Sequence, residues 1–176
     1  MEYPDRLIDI FSSISPECIE LCADIIQYAK QKLSSELDDS LYISLLDHIS
    51  TSIERYNDGV TLKNKLLWEI KHFYKNEYEI GLYGIVMIEK KYGLSMLEDE
   101  AGFIALHIIS AELSNDIQDI YEITGFIQAI VNIAKYHFMC DFDTDSFQYY
   151  RFITHLKFFA HRLFSKKVNN SECYKS

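Results

Sequence analysis

Both prolines of this chain, Pro4 and Pro16, lie at its N-terminal end, and only six glycines are spread over its 176 residues. Proline ends helices and deprives a central strand of a ladder bond, so from Cys18 onward little forces the backbone to break. Apolar residues recur at helical spacing in one segment after another. Together these observations predict an all-α fold. An apolar content of 48% is enough for the core of one large domain or two small ones.

Residues 1–15 read as a lead-in with a short helical turn over 6–11. Ser15 is placed to cap a helix over 17–33 with Pro16 in its first turn, and Ile19, Cys22, Ile25, Ile26 and Ala29 share one face. A second helix follows Asp39 or Ser40 and carries Leu41, Leu45, Ile49 and Ile53 to a stop at Asn57-Asp58-Gly59. A third is expected after Thr61 and a fourth over 77–91, closed by Tyr92-Gly93. Later helices are expected over 117–138 and 146–164, joined by the acidic turn 141–145, with a polar, frayed tail after Val168.

Between the fourth helix and these later ones lies Glu98-Asp99-Glu100, followed by the uncharged run 101–106 and then His107 among branched aliphatics. Ser95 and Glu98 have the spacing of a capping box, and the three acids suit a helix N-terminus, so capping alone accounts for them. From Ala101 to Ile109 the helix is apolar round most of its circumference, which marks it as enclosed by other helices. A charged imidazole would be costly there, so His107 is either a neutral, hydrogen-bonded core residue or lies where the helix meets a groove. Glu100 is about two turns before it, on the same face.

The two ends of the chain resemble each other. Ile25-Ile26-Gln27-Tyr28-Ala29-Lys30 aligns with Ile130-Val131-Asn132-Ile133-Ala134-Lys135. In the helices that follow, Tyr42, Leu45, Leu46, His48, Ile49 and Arg55 align with Tyr149, Phe152, Ile153, His155, Leu156 and Arg162. His48 and His155 are thus equivalent positions in two copies of one helical unit, each with an arginine two turns on. An imidazole that accepts a phosphoryl group needs an open nitrogen, a route for the donor and a cation near the new charge. Arg55 and Arg162 can supply that cation, with Asp47 and Glu100 as further supports, although histidines packed at helix edges beside surface arginines would look the same. His72 lies on a charged face and reads as solvated.

Composition narrows the remaining classes. A net charge of −10 opposes direct binding of nucleic acid or anionic membranes. The four cysteines show neither C-x-x-C nor zinc spacing, and reduced thiols of a cytoplasm fit them best. No signal sequence or membrane span is evident. There is no H-E-x-x-H, no phosphate-binding glycine loop and no nucleophile elbow, so neither an enzyme nor a metal or cofactor is expected.

Four stretches carry a more specific resemblance: Ser40-Leu41-Tyr42-Ile43-Ser44-Leu45-Leu46-Asp47-His48-Ile49, Leu66-Leu67-Trp68-Glu69-Ile70-Lys71, the segment from Glu98 to Ile108 with its string Asp99-Glu100-Ala101-Gly102-Phe103-Ile104-Ala105-Leu106-His107, and the segment from Tyr149 to Ala160. They resemble the PTS regulation domains (PRDs) of BglG/LicT-type transcriptional antiterminators over residues 16–165. The resemblance implies a five-helix PRD over 16–114, the first two helices of a second over 115–165, and a tail over 166–176. It implies phosphorylatable histidines at His48 and His107 in the first PRD and at His155 in the second. It also implies phosphoryl donors in HPr and a sugar-specific enzyme II, a homodimer, and RNA contact only through an N-terminal domain outside these residues. With the second unit ending early, Phe152, Phe158 and Phe159 are expected to be uncovered. Two other readings stay open: the PRD of a DNA-binding activator, and a helical interaction scaffold that works without phosphorylation.

Overall fold

The computed structural model describes residues 14–171, with side chains as far as residue 164. Among the described residues there are seven helices and no strand: α1 (Pro16–Lys32), α2 (Ser40–Asn57), α3 (Leu67–Phe73), α4 (Lys75–Tyr92), α5 (Glu98–Leu113), α6 (Ile117–Phe138) and α7 (Phe147–Ser171). The all-α expectation holds. The turn expected over 6–11 lies outside the described residues, and α7 runs well past the expected end at 164.

Local chemistry explains most of the boundaries. Ser15 caps α1 as expected, its Oγ accepting from the Cys18 amide at 3.2 Å. Gly93 closes α4 with φ of +70°, a left-handed conformation in which a side chain would be strained. The third helix is shorter than its apolar pattern suggested. The Asn64 amide is held by Asp99 at 2.8 Å, and the Asn64 side-chain oxygen accepts from the Leu66 amide at 2.9 Å, so the backbone turns irregularly before entering α3.

The capping box does not form. The residue preceding α5 is Leu97, and no side chain caps this helix. The acids of its first turn instead reach neighbouring elements. Glu98 accepts from Lys71 at 2.7 Å and from the Tyr78 hydroxyl; Asp99 accepts from Lys63 at 3.0 Å as well as from Asn64. Glu100 turns toward α2. Capping alone was therefore the wrong explanation for the acidic run.

Two apolar clusters share α5. One joins α1, α2 and α4 to Ile104, Ile108 and Ala111. The other joins α3, Tyr78 of α4, α6 and α7 to Ala101, Ala105, Leu106 and Ile109. The helix is enclosed on nearly every side, as its composition indicated. Close approach of α4 requires a missing side chain at Gly81, where a Cβ would lie 2.0 Å from the Ala101 carbonyl oxygen. On α7, Phe158 and Phe159 are exposed as expected, whereas Phe152 is half-buried against Phe142, their ring centroids 6.0 Å apart. No described helix is long and apolar enough to cross a membrane.

Candidate functional site

Helices α2 and α5 pack side by side, and each lays a polar stripe along the seam. On α2, His48, Ser52 and Arg55 fall on one face because their spacing is one and two turns. On α5, Glu100, Phe103 and His107 do the same. The Ser52 hydroxyl is buried and satisfied on its own helix, donating to the Ile49 carbonyl at 2.9 Å. That leaves His48 and Arg55 to face α5.

Glu100 joins them. Its Oε2 lies 3.2 Å from His48 Nε2, and its Oε1 accepts from Arg55 Nη2 at 3.4 Å. The three side chains are only 14%, 11% and 22% exposed for His48, Glu100 and Arg55. Burial acts to raise the Glu100 carboxyl, but the hydrogen bond and charge of His48, with Arg55, outweigh it and hold the group below its usual range. The pocket therefore contains a carboxylate clasped by a guanidinium and an imidazole.

His107 completes the group. Its ring lies 4.9 Å from that of His48 between centroids, and Phe103 closes the other side of His48 at 5.9 Å. Burial, and secondarily the charge of His48, push the His107 pKa down to about 3, so this imidazole is neutral at working pH. Among the described residues neither His107 nitrogen nor His48 Nδ1 has a hydrogen-bond partner. None of the three is among the side-chain atoms buried without one, which are Arg55 Nε, Asn64 Nδ2 and Gln128 Oε1. These ring nitrogens thus keep a path to solvent, and on each ring, when neutral, the lone pair is unused.

Of the residues singled out from sequence, His48, Arg55, Glu100 and His107 converge in this pocket. Asp47 does not join them. It is exposed and makes no bond to His48, because adjacent helical residues point about 100° apart. His155 and Arg162 are exposed on α7, and among the described residues no hydrogen bond or ion pair engages either. Their counterparts in α2 are joined only through Glu100 of α5, a link that no α7 neighbour provides. His72, expected to be merely solvated, stacks on Trp68 at 4.0 Å and bonds its carbonyl oxygen through Nδ1 at 2.7 Å.

A second polar cluster escaped the sequence reading. Glu77 and Glu112 lie together beneath α7, with Lys157 Nζ 3.5 Å from Glu77 Oε1 and 4.1 Å from the Tyr74 ring centroid. Ser35 donates to Glu112 at 2.7 Å. The available signal was Glu77 itself, which falls on the buried stripe of α4 with Ile80, Gly81 and Gly84. This cluster borders a cavity of about 720 Å³ between the first bundle and α7. No group of three or more His, Cys, Asp or Glu among the described residues could hold a metal ion.

Residues 23–111 match the family described as PRD domain. The chain is 52% identical to the transcription antiterminator LicT of Bacillus subtilis (strain 168) over 161 residues, covering 92% of this chain and 58% of that protein. It is 44% identical to the beta-glucoside operon antiterminator of Dickeya chrysanthemi, covering 97% of this chain and 60% of that one. It thus spans less than two thirds of the length of either relative. The crystal structure of GlcT CAT-PRDI superposes with a TM-score of 0.56 at 35% identity, covering 59% of this chain and 62% of that one. The histidine pocket between α2 and α5 lies within the matched residues, and the chain belongs to the PRD domain family.

Proposed function

We propose that these helices are the regulatory part of a sugar-operon transcriptional antiterminator, switched by phosphorylation of histidine. The observation that carries this reading is the pocket of His48, His107, Arg55 and Glu100. It offers two imidazoles with unused nitrogens at a helix seam, beside a guanidinium. An imidazole lone pair is a good acceptor for a phosphoryl group, and a nearby arginine steadies the resulting charge.

Each phosphoryl group adds about −1.5 to −2 charges at neutral pH. Placed on His48 or His107, it competes with the Glu100 carboxylate for Arg55. The Arg55–Glu100 part of the tie between α2 and α5 then loosens, and the packing of the bundle responds. In this reading residues 16–114 form one PRD and 115–165 open a second, in which His155 is the acceptor and Arg162 its cation. The donors are HPr and a sugar-specific enzyme II, which places the protein in the cytoplasm, and the output passes through a homodimer. The exposed Phe158 and Phe159 of α7 support association through that end. With a net charge of −10, RNA contact belongs to other parts of such an antiterminator.

The test is to incubate the chain with phosphoenolpyruvate, enzyme I, HPr and an enzyme II, then map acid-labile phosphate. Label is expected on His48, His107 and His155, with only that on His155 remaining in a His48→Ala, His107→Ala double variant that retains its helical circular dichroism. An unlabelled wild-type chain, or labelling unchanged in the double variant, would reject the switch and leave a binding scaffold.

A further inference from the structure

The two nitrogens of His48 are not equivalent. Nε2 lies 3.2 Å from Glu100 Oε2, and an ionised carboxylate can only accept a hydrogen bond. The proton of a neutral His48 therefore sits on Nε2, and the lone pair sits on Nδ1. Arg55 holds the same carboxylate by its other oxygen at 3.4 Å, which fixes the direction in which Glu100 points. Nδ1 has no partner among the described residues and is not among the atoms buried without one. The reactive and the accessible nitrogen are thus the same atom.

We infer that Glu100 is a positioning residue that directs phosphoryl transfer at His48 to Nδ1 and away from Nε2. The inference rests on the phosphoacceptor reading above and goes further by naming the atom. In the step, the Nδ1 lone pair attacks phosphorus of the donor's phosphohistidine. The donor's P–N bond breaks, its electron pair returns to the donor nitrogen, and the donor leaves as a neutral imidazole that keeps the proton on its other nitrogen. His48 becomes an N-phosphorylated imidazolium whose Nε2–H remains bonded to Glu100. No proton has to leave the pocket, and the positive charge that develops on the ring meets a carboxylate already in place. The opposite isomer would set three phosphoryl oxygens against the Glu100 carboxylate, where like charges repel.

Glu100 acts on His48 alone. His107, with both nitrogens unengaged, has no such director, so its isomer is set by access and not by a hydrogen bond. The carboxylate thereby distinguishes two histidines whose rings are in near contact.

Two measurements on the histidine-¹⁵N-labelled chain test this. In the unmodified protein, long-range ¹H–¹⁵N correlation is expected to show His48 as the Nε2–H tautomer. After phosphorylation, ³¹P–¹⁵N correlation is expected to place phosphorus on Nδ1 of His48. In Glu100→Ala the His48 label is expected to move to Nε2, while the isomer at His107 stays as in wild type; that unchanged signal shows that the pocket still folds. Phosphorus on Nε2 of wild-type His48, an Nδ1–H tautomer, or an isomer at His48 unmoved by Glu100→Ala would each overturn the assignment and leave the acceptor reading intact. Absence of label from both histidines would overturn the acceptor reading, and the assignment with it.

Discussion

Burial moves His107 far from the ordinary behaviour of an imidazole. With its pKa down at about 3, the folded chain binds a proton there far more weakly than the unfolded chain does. Its contribution to stability is complete above about pH 6.5 and is lost as pH falls toward 3, because the unfolded state takes up the proton first. Glu112 acts in the opposite sense. Burial, and then Glu77 beside it, raise its pKa to about 6, so it favours folding as pH falls from 6 toward the ordinary carboxylate value. The expected outcome is that His107→Leu flattens the fall in melting temperature between pH 7 and pH 5, since it removes the first effect and leaves the second. Equal slopes for variant and wild type, measured by calorimetry in matched buffers, would contradict the burial argument. Sequence made the faces of these residues legible, because helical spacing groups His48 with Arg55 and Glu100 with His107. It could not pair the faces across helices, and it put Asp47 at the site through chain adjacency, which in a helix separates side chains.

At the level of elements, the seam between α4 and α5 is set by small residues, and its tolerance can be measured. A Cβ at Gly81 would lie 2.0 Å from a backbone oxygen that cannot swing aside, so Gly81→Ala forces the helices apart. We expect a loss of about 1–3 kcal/mol by urea denaturation. Gly125 on α6 has open space around it, so Gly125→Ala is expected to stabilise the chain by about 0.4–1 kcal/mol through backbone entropy and helix propensity. Opposite signs from one substitution at two helical glycines would separate packing from propensity; matching signs would refute the steric account. Most helices were legible from periodicity and stop signals such as Asn57-Asp58-Gly59. The start of α3 was not, because the backbone before it is set by Asp99, a residue distant in sequence. The N-terminus of α5 misled for a related reason: a capping spacing was present, but partners on other helices held the acids.

For the molecule as a whole, the contact that seats α7 on the first bundle joins a polar group to the apolar Tyr149 and Ile153. Lys157 enters between Glu77 and the face of Tyr74, and it is the cation nearest a pair of buried carboxyls. Removing it leaves those acids without a counter-charge. Lys157→Met is expected to cost about 1–3 kcal/mol and to speed amide exchange in α7 ahead of α1 and α2. Uniform exchange across all helices would show that α7 does not depend on this contact. The inward turn of Lys157 depends on the three-dimensional approach of α4, which sequence spacing does not display.

Because α5 lends one side to each apolar cluster, it has no free flank along which to slide. Anything that tugs its first turn, where Glu98, Asp99 and Glu100 are each moored to a different neighbour, must be answered by rearrangement on both sides at once. A chemical event small enough to fit one imidazole can then be felt as far away as α7, with no hinge or flexible linker to carry it.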